Sequence, residues 1–306
     1  TFNIHIGGLM TRHVVVIGAG IVGVSTAIWL HRSGADVTLV DRATPGTGTS
    51  HGNAGVLAAC SMVPVTAPGL ARKAPRMILD SNFPLYLRWS YLPRLLPWLR
   101  RYMANANDTD TRRIAKGLIP IVSDTVEQHK SLCAELGLGD WITDSDYCFA
   151  YRNRAAFDAD HYAWALRADA GFVPDIIEGT DVGEYEPNLG PDITCLATMR
   201  DHGFIRDPGS YVQALAKAFT ELGGKVMQAE VKDFDLNGGT VSGVQTTQGS
   251  IRCDDVVLAT GVWSKPMMKK LGLNVPLESE RGYHIVFEGA SGAPSRPMMI
   301  ASGKFV

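Results

Sequence analysis

The sequence predicts an α/β protein of two domains, one built on a helix-wound parallel sheet and the other on a mixed sheet of α+β type. Three observations predict this. The stretch His13–Asp41 reads strand, glycine turn, helix, strand and terminal acid, the order of a βαβ unit. Far later, Val256–Ala259 is a second buried-strand pattern that breaks at Thr260-Gly261, where backbone can approach a ligand. Between them the chain mixes helical periodicity with short alternating strands. The domain bounds expected are 10–82 and 203–270 for the first, and 83–202 and 271–306 for the second.

Composition narrows the function classes. At 306 residues and 45% hydrophobic content the chain can bury a sizeable core. A net charge of −2 argues against nucleic acid as a general partner. Five cysteines (Cys60, Cys133, Cys148, Cys195, Cys253) are scattered, without a CxxC pair. That usage fits reduced thiols in a cytoplasmic protein and supplies no metal site. His13 to Leu30 runs eighteen residues without Asp, Glu, Lys or Arg, yet its glycines and immediate return to strand make it core and not a membrane span. Met10 reads as the natural start, and the residues before it as a leader.

In the opening unit, His13–Ile17 is a buried strand leading into Gly18-Ala19-Gly20-Ile21-Val22-Gly23. Gly18 permits the tight turn, Gly20 has no Cβ to obstruct a pyrophosphate, and Gly23 lets the helix pack closely on the strand. The helix N-terminus at Ile21 and Val22 then points its free N–H groups at phosphate. Gly34 ends the helix, Asp36–Val40 is the next strand, and Asp41 is placed to accept hydrogen bonds from ribose hydroxyls. The site suits a dinucleotide with an unphosphorylated ribose, and leaves NAD and FAD both open. A glycine-rich loop follows from Arg42 to Gly55, able to wrap an anion or a flat ring with its backbone.

That order, followed by Thr49-Ser50-x-x-Asn53-Ala54-Gly55, resembles the D-amino-acid oxidase superfamily of flavoproteins, and most of all the bacterial FAD-dependent D-amino-acid dehydrogenases, whose loop reads TSxxNAG. Pro68-Gly69 sits where those enzymes carry a similar APG. The resemblance implies a Rossmann-like FAD-binding domain covered by a mixed-sheet substrate domain. It implies FAD contacts from Arg42, Thr49, Ser50, Asn53, Ala54 and Gly55.

Residues 72–101 carry seven basic side chains against the single acid Asp80, interleaved with aromatic and leucine residues. Pro84, Pro93 and Pro97 interrupt any long amphipathic helix, which favours broken helices packed on the core with Arg facing water. The sharper reading is peripheral contact with an anionic inner membrane, near a quinone. A long helix is expected over Arg112–Leu136, capped by Asp108/Thr109 and stopped by Gly137. A strand near Tyr147–Tyr151, a helix over Ala155–Ala170 with a structural His161/Tyr162/Trp164 cluster, and a strand near Thr194–Met199 follow. Asp207-Pro208 starts a helix from about Tyr211 to Leu222, Lys225–Met227 is a strand, and Glu230–Phe234, Thr240–Thr246 and Ile251–Cys253 form a meander.

In the superfamily Val231 matches a backbone contact to adenine, and Thr260-Gly261-x-Trp263-Ser264 matches an ATG-x-WS segment beside the dinucleotide. The alternating run Arg281–Phe287 resembles the strand over the substrate pocket, where Tyr283 would hold the substrate carboxylate with His284 beside it. Relatives continue past Val306 into a segment with a carboxylate-pairing arginine and a glycine-rich flavin contact; no Arg-Pro-x-x-Pro-Asp-Gly-like motif occurs here.

The implied reaction is oxidative deamination of a D-amino acid, hydride passing from Cα to flavin N5, with electrons delivered to a quinone or another carrier. An oxygen-using glycine- or sarcosine-type oxidase, a nicotinamide-dependent dehydrogenase and a non-catalytic FAD-binding subunit of a heteromeric dehydrogenase are the other readings.

Overall fold

The computed structural model describes residues 11–79 and 87–306. The expectation for Met10, and the part of the basic stretch at 80–86, lie outside the described residues. The chain divides into two compact units: residues up to Asn53 with Asp207–Arg281, and Ala54–Arg206 with Gly282–Val306.

The first unit opens with β1 (His13–Ile17), α1 (Ile21–Arg32) and β2 (Asp36–Asp41). β-Branched residues on both faces suit a strand covered on both sides, and Val15 and Val16 are fully buried. Gly34, at φ 92°, closes α1 in a conformation that favours glycine.

The chain then builds the second unit. β3 (Val56–Leu57) is followed by α2 (Leu70–Leu79) and α3 (Leu92–Ala104). No residue of α3 is fully buried, but Leu92, Leu95, Trp98, Leu99, Tyr102 and Met103 are half-buried while Arg94, Arg100 and Arg101 are exposed. Pro97 lies inside α3 without ending it. The expected single helix over 112–136 is two, α4 (Asp108–Val122) and α5 (Thr125–Leu136), parted at Ser123-Asp124. The cap of α4 is Asn107, whose side chain accepts from the Asp110 amide, and not Asp108 or Thr109. Gly137, left-handed at φ 69°, stops α5. β4 (Ile142–Tyr151) precedes α6 (Arg154–Asp158) and α7 (His161–Asp169), which replace the single helix expected there. Asn153 caps α6 through the Ala156 amide, and the chain re-forms a turn at Asp160.

β5 (Asp175–Glu178), α8 (Asp181–Tyr185) and β6 (Cys195–Ile205) follow, β6 running six residues past its expected end. β6 pairs antiparallel with β4 over nearly its whole length and with β3 at Phe204 and Gly203. That last pairing holds residues 56–57 in the second unit, so the chain changes unit at Asn53 and not near residue 82. Tyr147, Phe149, Tyr151, Trp164 and Met199 form this unit's aromatic core, with the Trp164 indole donating to the Tyr151 hydroxyl at 2.9 Å.

Asp207 returns the chain to the first unit by capping α9 (Pro208–Glu221). Its carboxylate accepts from the Ser210 amide at 3.0 Å and from the Ser210 hydroxyl at 2.6 Å. α9 buries Tyr211, Leu215 and Phe219 completely. β7 (Lys225–Gln228) pairs with β2. β8 (Val231–Asn237), β9 (Thr240–Thr246) and β10 (Gly249–Arg252) form the expected meander. β11 (Asp255–Leu258) completes a four-stranded parallel sheet in the order β11-β1-β2-β7, and α10 (Ser264–Lys270) follows. In the second unit β12 (Met298–Ile300) joins β4 in parallel.

Among the described residues the run 281–287 pairs with no strand. It is irregular backbone, and Tyr283 is 87% exposed. The strand expected there is corrected: alternation alone does not hold a strand without a ladder to receive its amides. No helix among the described residues is long and apolar enough to cross a membrane.

Candidate dinucleotide site

The site is made where β1 ends at the middle of the parallel sheet. Gly18 turns there at φ 105°, and its amide donates to the Val40 carbonyl at 2.8 Å. A Cβ at Gly18 would stand 2.5 Å from the Ala259 carbonyl oxygen, and one at Gly23 only 1.7 Å from that of Gly18. Both glycines are therefore required by packing. Gly20 differs, since a Cβ there would meet only the Ser50 hydroxyl at 3.5 Å.

Asp41 fastens the turn from the neighbouring strand. One carboxylate oxygen accepts from the Ala19 amide at 2.7 Å, and the other from the Ala43 amide at 2.9 Å. Each oxygen keeps a further lone pair for a ribose hydroxyl. The loop after Asp41 folds back over the turn. The Gly46 amide donates to the Ala19 carbonyl at 3.0 Å, the Ser50 hydroxyl accepts from the Ile21 amide at 3.1 Å, and the Asn53 amide group donates to the Ser50 carbonyl at 3.0 Å. Gly46 crosses so near Gly209 that a Cβ would lie 2.4 Å from its carbonyl oxygen. That crossing ties the loop to α9. No spacing rule marks it in the sequence.

On the far side, the Ala259 amide donates to the Ile17 carbonyl at 2.8 Å, and Gly261 turns at φ 55°. Thr260 and Ser264 share a hydroxyl bond of 2.9 Å that fixes the start of α10. The Arg42 guanidinium stacks 4.8 Å from the Trp263 ring centre. Val231 pairs with Thr246 at the start of β8.

Of the residues singled out in the sequence, Gly18, Gly20, Ile21, Val22, Gly23, Asp41, Arg42, Thr49, Ser50, Asn53, Val231, Thr260, Gly261 and Trp263 belong to the first unit. Ala54, Gly55, Tyr283 and His284 belong to the second. There the Gly55 carbonyl accepts from the Ile205 amide at 2.8 Å, which anchors the loop to β6.

These features fit an adenosine pyrophosphate. The glycine turn lets backbone approach a ligand, α1 presents a first turn whose amides lack intrahelical acceptors, and Val22 there is 65% exposed. Asp41 adds an anchored acceptor. The five cysteines are free and buried, and burial pushes the Cys60 and Cys253 thiols up to about 11, so neither offers a nucleophile near neutrality. Among the described residues no group of His, Cys, Asp and Glu could hold a metal ion.

Comparison with known proteins agrees. Residues 13–305 match the family described as FAD dependent oxidoreductase. A D-amino-acid oxidase of Bradyrhizobium diazoefficiens is 36% identical over 298 residues, covering 96% of this chain and 70% of that protein. A D-amino acid dehydrogenase of Helicobacter pylori is 25% identical over 280 residues, covering 91% of this chain and 67% of its own. Among solved structures, a glycine oxidase of Bacillus cereus superposes with a TM-score of 0.56 at 20% identity, covering 84% of this chain and 57% of that one. An L-amino acid deaminase of Proteus vulgaris gives 0.60 at 18% identity, with coverages of 88% and 52%. The chain thus spans just over half the length of these two solved structures, and at such identities the likeness shows the fold.

Proposed function

The chain belongs to the family of FAD-dependent oxidoreductases, and from this membership we propose that it serves the oxidative deamination of D-amino acids to 2-oxo acids and ammonia. The observation that carries the proposal is the anchored glycine turn with its acid, Gly18–Gly23 against Asp41, in a chain whose curated relatives carry D-amino-acid names.

In this reading Gly18 and Gly20 let the pyrophosphate approach the backbone, the first-turn amide of Val22 donates to it, Ile21 holds the turn through its bond to Ser50, and Asp41 accepts the ribose hydroxyls. Arg42 and Trp263 flank the adenosine, with the Val231 backbone on the adenine. Thr49, Ser50, Asn53, Ala54 and Gly55 follow the pyrophosphate toward the flavin, with Thr260 and Gly261 giving close backbone approach. FAD, when bound, supplies the two-electron acceptor for the Cα hydride. Orientation of a neutral amine and exclusion of water are the protein's part, so no general base is required. Tyr283 with His284 is the proposed substrate contact. The electrons pass onward to a quinone or a carrier protein.

The relative named an oxidase favours a second reading, in which oxygen is the acceptor. Anaerobic addition of D- and L-amino acids to the flavin-loaded protein tests the proposal. Flavin absorbance should bleach with D- and not L-enantiomers. Bleaching by L-enantiomers, or by none, would reject it. Oxygen uptake during turnover would then select the oxidase over the dehydrogenase.

A further inference from the structure

A cavity of about 530 Å³ lies wholly inside the second unit, where β4 shifts register against β6 between Ser145 and Tyr147. That volume falls in the usual range of small-molecule sites. Its lining carries both signs of charge: Asp144, Asp146 and Asp201 with Lys130 and Arg296, and Ser295 beside them. Lys130 and Asp144 pair with each other. Asp146 and Arg296 do not pair, although both line the same cavity; their ion-pair partners are Arg200 and the buried Glu186.

One residue sets the spacing of those two charges. The Tyr185 hydroxyl donates to Asp146 Oδ2, which also takes Arg200 Nη1 at 2.6 Å. The Tyr185 ring lies 4.3 Å under the Arg296 guanidinium, and its backbone carbonyl accepts from Arg296 Nη1 at 3.1 Å. Asp146 Oδ1 and Arg296 Nε and Nη2 are in no hydrogen bond among the described residues. The side chains of Asp146 and Arg296 are 18% and 31% exposed. A fixed carboxylate oxygen and a fixed guanidinium edge, held apart on one tyrosine, complement a small molecule with an ammonium and a carboxylate a few bonds apart. A simple anion would meet three carboxylates, and a simple cation two basic groups.

We propose that this cavity binds a free α-amino acid, its ammonium on Asp146 with Asp201 beside it and its carboxylate on Arg296, whose position Ser295 fixes by accepting from Arg296 Nη1 at 2.9 Å. The site uses no residue of the first unit and does not depend on the redox reading.

Calorimetric titration with 2-aminoisobutyric acid tests it, because this amino acid has no Cα–H to lose. Saturable binding is expected with and without FAD, at least tenfold tighter than for acetate or methylamine alone. Asp146→Asn keeps an acceptor for Tyr185, and Arg296→Lys keeps a charge for Glu186; each should weaken binding at least tenfold. Thermal melting checks that both variants fold, and should either fail, the exposed Asp201→Asn should still weaken binding severalfold. No saturable binding, equal binding of the singly charged probes, or wild-type affinity in the folded variants would overturn the proposal. Failure to bind FAD would bear on the first unit and leave this result untouched.

Discussion

Gly20 and Gly23 stand three residues apart on one turn and should answer differently to the same added methyl group. Gly23→Ala forces a Cβ to 1.7 Å from a backbone oxygen, so the turn must open. Its thermal midpoint should fall by several degrees or the protein should not accumulate. Gly20→Ala meets only a hydroxyl at 3.5 Å, and the fold should hold within about 1 kcal/mol. Its FAD affinity should nonetheless drop about tenfold, because the methyl enters the space proposed for pyrophosphate. Melting and flavin titration of both variants separate packing from binding.

His202 offers a second residue-scale test. It is 3% exposed, its Nδ1–H donates to the Arg200 carbonyl at 2.8 Å, and Nε2 accepts from the Cys60 amide at 3.3 Å. Both bonds require the neutral ring, and burial holds its pKa below the ordinary value of about 6.5. Proton uptake then favours the unfolded chain. The stability due to neutral His202 is whole above about pH 6.5 and erodes as pH falls toward the folded value. The thermal midpoint should decline as the pH drops from about 6.5 to 5, and His202→Gln should flatten that slope.

At the scale of elements, α9 carries the clearest expectations. Asp207→Ala removes an acceptor used by the Ser210 amide and hydroxyl, and should cost about 0.5–2 kcal/mol in urea unfolding. These bonds hold the Asp207 carboxyl below the usual carboxylate range, so the cap is intact at neutral pH and fails as acid takes the pH below about 4. Leu215→Ala empties a fully buried position and should cost about 2–5 kcal/mol.

Elements were legible where the local pattern decides them. Asp207-Pro208 announced a capped helix, and His13–Asp41 announced strand, turn, helix and strand, because caps and periodicity act over a few residues. The parting of α4 from α5 at Ser123-Asp124 left no trace in the apolar spacing, which continues across the break. The run 281–287 alternates as a strand would, but pairing is a property of the partner and not of the run itself.

For the whole molecule, the decisive feature is that the glycine turn with Asp41 and the Thr260-Gly261 break meet in one unit, although the other unit's chain lies between them in sequence. Gly18–Asp41 and Thr260-Gly261 could be read because glycine turns and terminal acids carry their chemistry in their spacing. The Gly46–Gly209 crossing and the Arg42–Trp263 stack could not, since each joins residues far apart in sequence that no local pattern relates. The charged cavity of the second unit was hidden for the same reason, its charges coming from α5, β4, β6 and the 295–296 turn.

The most direct measurement of the central claim is a comparative titration of FAD and FMN by flavin fluorescence on wild type and Asp41→Ala. FMN lacks the adenosine that Asp41 is proposed to hold. Wild type should bind FAD saturably and prefer it strongly to FMN. Asp41→Ala should weaken FAD binding about tenfold or more, in line with the loss of one or two hydrogen bonds of about 1 kcal/mol each, and weaken FMN binding distinctly less. Undiminished FAD affinity in Asp41→Ala, or equal affinity of the wild type for FMN and FAD, would contradict the account.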